Sequence, residues 1–437
     1  MKYFNYNREC MPRAELEELQ LDRLRRQVNS AYINVPMYRE RFDRIGLRPD
    51  DINSLADLAR IPFTVKDDFR EQYPYGMFAV PFSDIVRIHA SSGTTGKPVV
   101  NGYTNQDIAN WGECMARTLC GGGTDSCDVV HVSYGYGLFT GGLGAHEGSH
   151  RLGCTTLPVS SGNTKRQIQL IQDFGSTVIC CTPSYLLQII ETAAAMGIDP
   201  RTLPVKRAFL GAEPWTKAMR EDIEKKLDCK AYDIYGMTEL MGPGVAFECT
   251  EQDGLHVNED MFIPEIIDPK TGEVLPEGEK GELVFTCINS RAIPLLRYRT
   301  RDITSLTREE CGCGRTLARI KRLMGRTDDM LIIRGVNVFP TQIETVLVNV
   351  EGIEPQYQII LDRDGSVLDN LEIRVEVSSD IPFDEIKVLE KLQKKLQSEL
   401  HSAIGLNPKI TLVEPFTLER SAGKAKRVID RRDLYGK

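Results

Sequence analysis

The sequence predicts an α/β protein with a large N-terminal domain of mixed and parallel sheets with helices, and a small α+β C-terminal domain. Apolar runs alternate with helical segments between residues 164 and 234, which predicts parallel strands. Turn signals around short β-type runs between residues 263 and 302 predict an antiparallel, barrel-like subdomain. A polar connector at residues 325–329 then precedes a separate pattern. We therefore expect domains of residues 1–327 and 328–437.

Length and composition limit the possible functions. At 437 residues the chain is too long for one typical core. A formal net charge of -8 argues against broad nucleic-acid binding, which needs a basic surface. No apolar run approaches the length of a membrane span, and residues 1–6 lack the apolar core of a signal peptide. With 12 cysteines expected to be reduced, the sequence predicts a cytoplasmic protein that binds neither membranes nor nucleic acid.

The elements follow from the spacing of apolar residues. Helical spacing covers residues 13–30, and five prolines between residues 31 and 81 predict short helices joined by turns. Helices are then predicted at 105–119, 165–174, 184–196 and 214–227, and strands at 129–132, 177–181, 205–210 and 231–234. In the C-terminal unit, residues 371–377 alternate as a strand. A long helix follows there, with an apolar face of Ile386, Leu389, Leu392, Leu396 and Leu400.

A glycine- and hydroxyl-rich stretch follows the first short apolar run. It reads Ser91, Ser92, Gly93, Thr94, Thr95, Gly96, Lys97 and Pro98. Small residues let the backbone close around an anion, which is typical of a phosphate-binding loop. The spacing differs from G-x-x-x-x-G-K-[ST], so this is not the nucleoside-triphosphatase loop. An ordinary turn between two strands is the alternative.

Glycines and aromatic residues alternate between residues 133 and 146. Glycine permits close approach of the backbone, and aromatic rings supply flat apolar walls, so the stretch predicts a pocket for a planar apolar group. A glycine-rich turn beside core aromatics is the alternative. The pocket candidates are Tyr134, Tyr136, Phe139, Gly142 and Ala145.

Two segments follow predicted parallel strands. Residues 211–214 come after one strand, and residues 235–239 come just beyond the next. Ligands in open α/β sheets bind at the carboxyl ends of strands, so both segments are candidates for a ligand site.

Three cysteines and a histidine form a possible metal site. Cys249 and His256 flank a turn-rich segment, and Cys311 and Cys313 form a tight pair. Three thiolates and one imidazole would complete a closed tetrahedral site for a structural Zn²⁺. Reduced free cysteines beside a surface histidine are the alternative.

Five stretches stand together in one order along the chain: residues 91–98, 235–239, 298–302, 325–340 and 421–427. In these the chain resembles the adenylate-forming superfamily and, within it, phenylacetate–coenzyme A ligases, over nearly its whole length. The resemblance implies that a carboxylate attacks the α-phosphate of ATP to give an acyl-adenylate, from which coenzyme A then displaces AMP. It implies an aryl acid as substrate, either phenylacetate or a close arylacetate.

The resemblance also assigns roles around ATP. Residues 91–97 would hold the β- and γ-phosphates, Glu239 would bind Mg²⁺, and Thr238 would hydrogen-bond the α-phosphate. Asp302 would accept hydrogen bonds from both ribose hydroxyls, with Arg326 beside it. Taken alone, Glu239 could be a solvated carboxylate and Tyr235 a core residue. The residues that would enclose adenine are Gly211, Ala212, Glu213, Pro214, Asp233, Ile234, Tyr235, Gly236 and Met237.

The C-terminal domain is expected to be mobile. The resemblance places Lys424 at the substrate carboxylate during adenylation, with Lys426 as the competing assignment and a flexible basic tail as the alternative. A lysine needed only in the first step implies that the small domain rotates, with Asp328 as the hinge. Residues 334–337 would then line the thiol channel.

The chain departs from many superfamily members in two respects. Val99 follows Pro98 where many members have a lysine, and the N-terminal region is short. The phenylacetate branch shares both features, and a homodimer that covers the exposed side is expected. Two other functions remain open: transfer of the acyl group to a carrier protein, and a catalytically silent nucleotide sensor.

Overall fold

A computed structural model describes residues 2–91, 97–327, 331–334, 336–362, 369–383, 385–420 and 427–432. Within these residues the chain forms α-helices, short 3₁₀ turns and strands. Among the described helices, none combines the length and the apolar composition that crossing a membrane requires.

The α-helices of the described residues, in chain order, are α1 (Tyr6–Glu9), α2 (Arg13–Asn34), α3 (Pro36–Ile45), α4 (Lys66–Glu71), α5 (Asn105–Gly121), α6 (Thr140–Leu152), α7 (Thr164–Asp173), α8 (Pro183–Ala195), α9 (Lys217–Leu227), α10 (Pro340–Asn349) and α11 (Ile386–Ile404). The 3₁₀ turns are Pro49–Asp51, Leu55–Arg60, Phe82–Asp84 and Pro200–Thr202.

The strands of the described residues are β1 (Arg87–Ala90), β2 (Val100–Tyr103), β3 (Val129–Val132), β4 (Thr155–Pro158), β5 (Val178–Cys181), β6 (Arg207–Gly211), β7 (Lys230–Met237), β8 (Gly242–Glu248), β9 (Leu255–Val257), β10 (Phe262–Ile267), β11 (Gly281–Cys287), β12 (Tyr298–Thr304), β13 (Leu306–Thr307), β14 (Arg319–Ile320), β15 (Gly325–Arg326), β16 (Leu331–Ile333), β17 (Val336–Val338), β18 (Ile353–Asp362), β19 (Asn370–Val377), β20 (Lys409–Val413) and β21 (Val428–Asp430).

The main sheet has nine strands in the order β13-β14-β9-β8-β7-β6-β5-β3-β4. From β4 to β7 neighbouring strands are parallel, and from β7 to β13 they are antiparallel. Because the helices α6 to α9 connect the parallel strands, the carboxyl ends of β3, β5, β6 and β7 lie along one edge. The α/β class predicted from the sequence is confirmed.

A second, antiparallel sheet has the order β10-β11-β12-β15. Its pairing brings Asp302 of β12 opposite Arg326 of β15. This sheet and the main sheet share one large hydrophobic core, which extends from Leu24 to Ile320.

Residues beyond the connector form a core of their own. Strands β18 to β21 lie in the order β20-β19-β18-β21, and α11 packs Leu392, Leu396 and Leu400 into this core. Ile386, which was expected on the same face, is 70% exposed, because it begins the helix beyond the edge of the core. The apolar side chains of this unit therefore pack mainly with one another.

Several element boundaries differ from the prediction by a few residues, and two of these differences lie near the predicted ligand site. The helix expected from residue 214 begins at Lys217, because the hydroxyl of Thr216 caps it by accepting the N–H of Met219. Strand β7 continues through Met237, so that Tyr235 and Gly236 belong to the strand. The second half of the glycine- and aromatic-rich stretch is helical, forming the start of α6.

Candidate functional site

The site predicted from the sequence begins at the carboxyl edge of the parallel strands. Tyr134 follows β3, residues 212–214 follow β6, and Thr238 and Glu239 follow β7. In an open α/β sheet this edge is where ligands bind, because the loops there enclose a crevice. The fold thus brings segments that lie up to about 100 residues apart in sequence to one edge of the main sheet.

Tyr235 connects this edge to the antiparallel sheet. Its hydroxyl donates a hydrogen bond to Asp302 Oδ2 at 2.6 Å, and its ring lies 6.0 Å from the ring of Phe285. Burial, followed by the charge of Asp302, raises the pKa of Tyr235, so the phenol keeps its proton and donates a hydrogen bond to the carboxylate. The position of the ring is therefore fixed from both of its ends.

Asp302 is held by a second donor. Arg326 Nη1 lies 3.2 Å from Asp302 Oδ1, and the β12–β15 pairing sets the two residues opposite one another. The side chain of Asp302 is only 4% exposed. Since a buried carboxylate requires partners, the tyrosine and the arginine hold Asp302 in one orientation.

Glu239 is buried at the end of β7. It is 4% exposed, and Lys66 Nζ lies 3.6 Å from its Oε1 atom. Burial and the neighbouring Glu239 carboxylate raise the pKa of Tyr298, which therefore stays neutral beside it. The buried position excludes the alternative of a solvated surface carboxylate. A carboxylate held close to one lysine and one phenol is suited to bind a hard cation such as Mg²⁺.

Lys66 was not found by sequence reasoning. It is the first residue of α4, far from every recognised motif, and only the tertiary fold brings its ammonium group to Glu239. No pattern of spacing in the sequence signals such a contact. It adds a positive charge to an edge that would hold an anionic ligand.

The glycine- and hydroxyl-rich stretch connects β1 to β2. Ser91 donates its N–H to the carbonyl of Val99 at 3.0 Å, and its hydroxyl accepts the N–H of Val99 at 3.0 Å. These bonds close the base of the loop, while Lys97 Nζ lies over the ring of Tyr73 at 5.5 Å. Ser92, Gly93, Thr94, Thr95 and Gly96 lie outside the described residues, as do Asp328, Lys424 and Lys426.

The segment after β6 contains a strained residue. Ala212 has a φ of 70°, in the left-handed region that non-glycine residues rarely adopt. The next side chain, Glu213, accepts the N–H of Ser184 at 2.7 Å and so caps the start of α8. This cap fixes the turn in which Ala212 and Pro214 are exposed.

Gly236 permits an unusually close approach of β8. A Cβ atom at this position would lie 1.9 Å from the carbonyl oxygen of Gly242. Only glycine fits there, and its absence of a side chain lets β7 bulge between Tyr235 and Gly236. The bulge turns the end of β7 and sets the direction of Met237, Thr238 and Glu239.

Asp233 lies on β7 within a group of charged residues. Its N–H donates to Glu248 Oε2 at 2.7 Å, and the same oxygen accepts from Arg220 at 2.6 Å. Arg220 and Arg322 stack over the ring of Trp215 at 4.9 and 5.4 Å. Burial, followed by the charge of Glu248, raises the pKa of Asp233 to about 7.

The raised pKa predicts a pH-dependent stability. The Asp233 carboxyl has a pKa of about 7 in the folded protein and its ordinary pKa of 3.8 in the unfolded chain. Between these two pH values the folded protein binds one more proton than the unfolded chain, so the free energy of unfolding falls as pH rises. Asp233→Asn removes this pH-dependent contribution to stability. We therefore expect the melting temperature of the variant to gain on that of the wild type between about pH 4 and 7, and to gain no further above it. A difference that stays constant from pH 4 to 8 in scanning calorimetry would contradict the assignment.

The predicted aromatic pocket brings some of its candidates together. A Cβ atom added to Gly141 would lie 2.6 Å from the ring of Phe139 and 3.1 Å from that of Tyr134, so both rings border the start of α6. Gly142 packs against the carbonyl of Gly135, which leaves no space for a side chain. The Tyr134 hydroxyl is buried without a hydrogen-bond partner among the described residues. Such a group is free to bond a ligand.

The remaining pocket candidates lie further along. Tyr136 points its hydroxyl at His146 Nδ1, at 3.4 Å, with the two rings edge to face. Ala145 is fully buried in the main core. Phe139 is 43% exposed.

The three cysteines and the histidine meet in one cluster. The ligand atoms of Cys249, His256, Cys311 and Cys313 all lie within 4.8 Å of one another, and all four residues are buried. His256 Nδ1 lies 3.3 Å from the carbonyl of Leu317, the usual outer contact of a metal-binding imidazole. Hydrogen bonding with Cys249, and then with His256, holds the pKa of the Cys313 thiol well below its usual range. The buried histidine excludes the alternative of a surface histidine.

The N-terminal segment packs on this cluster. Tyr3 donates to the carbonyl of Cys313 at 2.7 Å, and Arg315 Nε donates to the fully buried Glu9 at 2.7 Å. Arg13 forms a two-pronged pair with Glu259, whose second oxygen also accepts the N–H of Ala318. The cluster is therefore tied to the N-terminal segment of the chain.

Comparison with family models gives two matches. Residues 51–288 match the model described as AMP-binding enzyme, and residues 335–432 match the model described as AMP-binding enzyme C-terminal domain. The first match includes β1, β2 and the edge from β3 to β7. The second covers the C-terminal core.

Solved structures distinguish two conformations. A structure of 2-hydroxyisobutyryl-CoA ligase in the postadenylation state, in complex with R3-HIB-AMP, is similar with a TM-score of 0.93 and 29% identity, covering 100% of this chain and 94% of that one. The same enzyme with 2-HIB-AMP and CoA in the thioesterification state gives a TM-score of 0.74 at 30% identity, with the same coverage. Because the two scores come from one enzyme, they differ through conformation, and this chain has an arrangement close to that of the postadenylation state.

Curated relatives are similar over almost their full length. The chain is 52% identical to the phenylacetate–coenzyme A ligase of Aromatoleum evansii over 421 residues, covering 96% of this chain and 95% of that protein. It is 51% identical to the phenylacetate–coenzyme A ligase of Pseudomonas putida, covering 95% and 94%. The resemblance read from the five motifs is confirmed. The chain belongs to the phenylacetate–coenzyme A ligase family, and it is an AMP-binding enzyme that joins an acid to a thiol.

Proposed function

We propose that this enzyme joins phenylacetate, or a close arylacetate, to coenzyme A with ATP, by way of an acyl-adenylate, releasing AMP and pyrophosphate. The observation that carries the proposal is the edge of the main sheet, where the buried Glu239 lies beside Lys66 and the buried Asp302 is held by Tyr235 and Arg326. One carboxylate is placed for a cation and the other for a polar ligand. The similarity to phenylacetate–coenzyme A ligases supports the choice of acid.

ATP would lie across the ends of β6 and β7. Tyr235 and Arg326 each donate to one oxygen of Asp302 and so hold its carboxylate in place. Each oxygen can accept a second hydrogen bond, so Asp302 would accept from the ribose hydroxyls. The adenine would lie between residues 211–214 and 233–237, and residues 91–97 would hold the outer phosphates. Thr238 would orient the α-phosphate. The turn fixed by the Glu213 cap supports this placement of the base.

Glu239 is the residue that would hold Mg²⁺, together with phosphate oxygens. When bound, the cation would draw negative charge away from the α-phosphate, which the carboxylate of the substrate acid attacks. Lys66 Nζ, at 3.6 Å from Glu239, would neutralise anionic charge on the same side. The hard oxygen donor and its burial suit Mg²⁺.

The aryl group would contact Tyr134, Tyr136, Phe139, Gly142 and Ala145. Gly141 and Gly142 carry no side chain, and flat rings beside them would form a slot suited to an aromatic ring. The unpartnered hydroxyl of Tyr134 would bond a polar atom of the substrate.

The two half-reactions would use different arrangements of two domains, residues 1–327 and 328–437, with the hinge at Asp328. The separate core of the C-terminal unit supports this division. In the present arrangement Lys424 would assist adenylation, and after rotation residues 334–337 would line the path of the thiol. The closer similarity to the postadenylation structure than to the thioesterification structure agrees with a rotation between two states.

Three further properties complete the proposal. A structural Zn²⁺ would be held by Cys249, His256, Cys311 and Cys313. The four ligand atoms would fill its tetrahedral coordination and leave no position open for a substrate. The enzyme would be a homodimer. It would act in the cytoplasm, where ATP and coenzyme A are available and where its 12 free cysteines would stay reduced.

Pyrophosphate release across a panel of aromatic acids, with and without coenzyme A, tests the proposal. Phenylacetate or a close arylacetate should give the fastest release, and coenzyme A should be required for continuous turnover. Lys424→Ala should slow adenylation about 100-fold while retaining thioester formation from preformed phenylacetyl-adenylate. Lys426→Ala is the matched control and should retain both steps.

Other outcomes would contradict the proposal. If no acid in the panel leads to release of pyrophosphate, the result would favour a nucleotide sensor. Turnover that needs a carrier protein instead of coenzyme A would favour the carrier-dependent enzyme. Equal loss of both steps in Lys424→Ala would indicate a structural lysine.

A further inference from the structure

Two arginines flank the segment of residues 421–426, one at each end. Arg420 makes two hydrogen bonds with Glu376, at 2.6 and 2.8 Å, and its guanidinium lies 5.4 Å from the centre of the Phe416 ring. Arg427 bonds Glu344, which is 3% exposed, and stacks over Tyr357 at 4.8 Å. Both ends of the segment are therefore anchored by buried carboxylates of the C-terminal unit.

Glu376 organises the chain that leads to this segment. It is fully buried on β19 and accepts the N–H groups of Phe416 at 3.0 Å and of Leu418 at 2.7 Å. Together with Arg420 these bonds fix the backbone from residue 416 to 420. They lie wholly inside the C-terminal unit and do not depend on its orientation.

Arg420 also reaches the large domain. Its Nε and Nη2 atoms both lie 3.2 Å from Glu191 Oε2, on α8. The side chains of Arg420 and Glu191 are 15% and 17% exposed. Gln356 Nε2, also in the C-terminal unit, lies 3.5 Å from the other oxygen of Glu191. Glu191 thus receives two groups of the C-terminal unit in this arrangement.

A second contact lies close to this one. Val348 of α10 packs against the apolar cluster formed around α8 and α9. The face around α8 and α9 is therefore where the C-terminal unit rests on the large domain. Rotation of that unit would separate Arg420 from Glu191, whereas its bonds to Glu376 would persist.

We propose that Glu191 is a positioning residue for the adenylation half-reaction: by bonding Arg420 it holds the described part of the C-terminal unit in the arrangement seen here. Glu191 touches neither substrate nor cofactor and acts through Arg420. The inference rests on the proposed two-step function. It assigns the pair a role in one half-reaction and none in the other.

Glu191→Gln tests this assignment, since it removes the charge and keeps the shape. Couplings between sites typically change an equilibrium 5- to 150-fold, and for a partly exposed pair we expect a loss of about tenfold in acyl-adenylate formation. Thioester formation from preformed phenylacetyl-adenylate should be unchanged or faster. Both rates are measured by rapid quench in the full-length enzyme. Small-angle scattering with ATP and phenylacetate should shift away from the wild-type profile.

The matched control is Glu221→Gln on α9, whose carboxylate is 65% exposed and, among the described residues, forms an ion pair with Lys217 at 3.6 Å. It should leave both half-reactions unchanged. An equal loss of both half-reactions in Glu191→Gln, or no loss in either, would overturn the assignment. If the wild-type enzyme forms no acyl-adenylate from any acid, the proposed function itself fails, and this outcome is distinct from that of the variant.

Discussion

Replacing Glu239 with glutamine is expected to slow acyl-adenylate formation by about 10³-fold. Removing a single group that stabilises transition-state charge typically costs 10²–10³-fold, and loss of a cation's ligand places the effect at the upper end of this range. The measurement is single-turnover pyrophosphate release with phenylacetate and saturating ATP. Thioester formation from preformed phenylacetyl-adenylate should be reduced much less, because no pyrophosphate leaves in that step.

The position of Glu239 explains the size of this effect. The carboxylate is 4% exposed, so water cannot replace it as a ligand, and Lys66 at 3.6 Å would be left without its counter-charge. Glu279→Gln, on an exposed loop, is the control for the change from carboxylate to amide. Retention of more than a tenth of the wild-type rate at high Mg²⁺ would show that Glu239 is not the cation's ligand.

The second large effect concerns the cysteine cluster. Cys313→Ser is expected to lower the melting temperature by about 5 °C and to abolish stoichiometric zinc. The free energy of binding a structural metal is part of the folding free energy, and a loss of about 3–5 kcal/mol corresponds to this shift in a domain of such size. Metal analysis and calorimetry of the full chain provide the two readouts.

The surroundings of Cys313 determine how the damage should spread. Its carbonyl accepts from Tyr3, and its neighbour Arg315 binds Glu9, so loosening the cluster should also release the N-terminal segment. Cys127→Ser is the control, because Cys127 is exposed and lies outside the cluster. Absence of zinc from gently purified wild-type protein, or an unchanged melting temperature in Cys313→Ser, would contradict the metal assignment.

Much of the fold followed from local patterns. The alternation of apolar runs with helical segments predicted the parallel strands β5 to β7, because buried parallel strands and amphipathic helices have distinct periods. The start of α9 was misplaced by three residues, since Pro214 resembles a helix start while Thr216 provides the actual cap. Local signals thus fix which elements exist better than where they end.

The site was predictable only where motifs recur within a family. Glu239 and Asp302 were identified from their motifs, but the hydrogen bond from Tyr235 to Asp302 joins two sheets, and no local pattern encodes it. Lys66 and Glu191 were missed for the same reason, because each acquires its partner through tertiary packing alone. For Ile386 the helical spacing predicted a buried side chain, but this residue begins α11 beyond the edge of the core and is exposed.

The tie between the N-terminal segment and the cysteine cluster bears on how the chain is made. Tyr3 and Glu9 bond residues that lie 310 and 306 positions later, at Cys313 and Arg315. During translation, the hydrogen bonds of Tyr3 and Glu9 therefore cannot form until the segment with Cys313 and Arg315 has emerged from the ribosome. Glu9, a carboxylate destined for full burial, lacks its partner Arg315 during that interval. Completion of the large domain is thus a late event in synthesis, set by the arrival of Arg315.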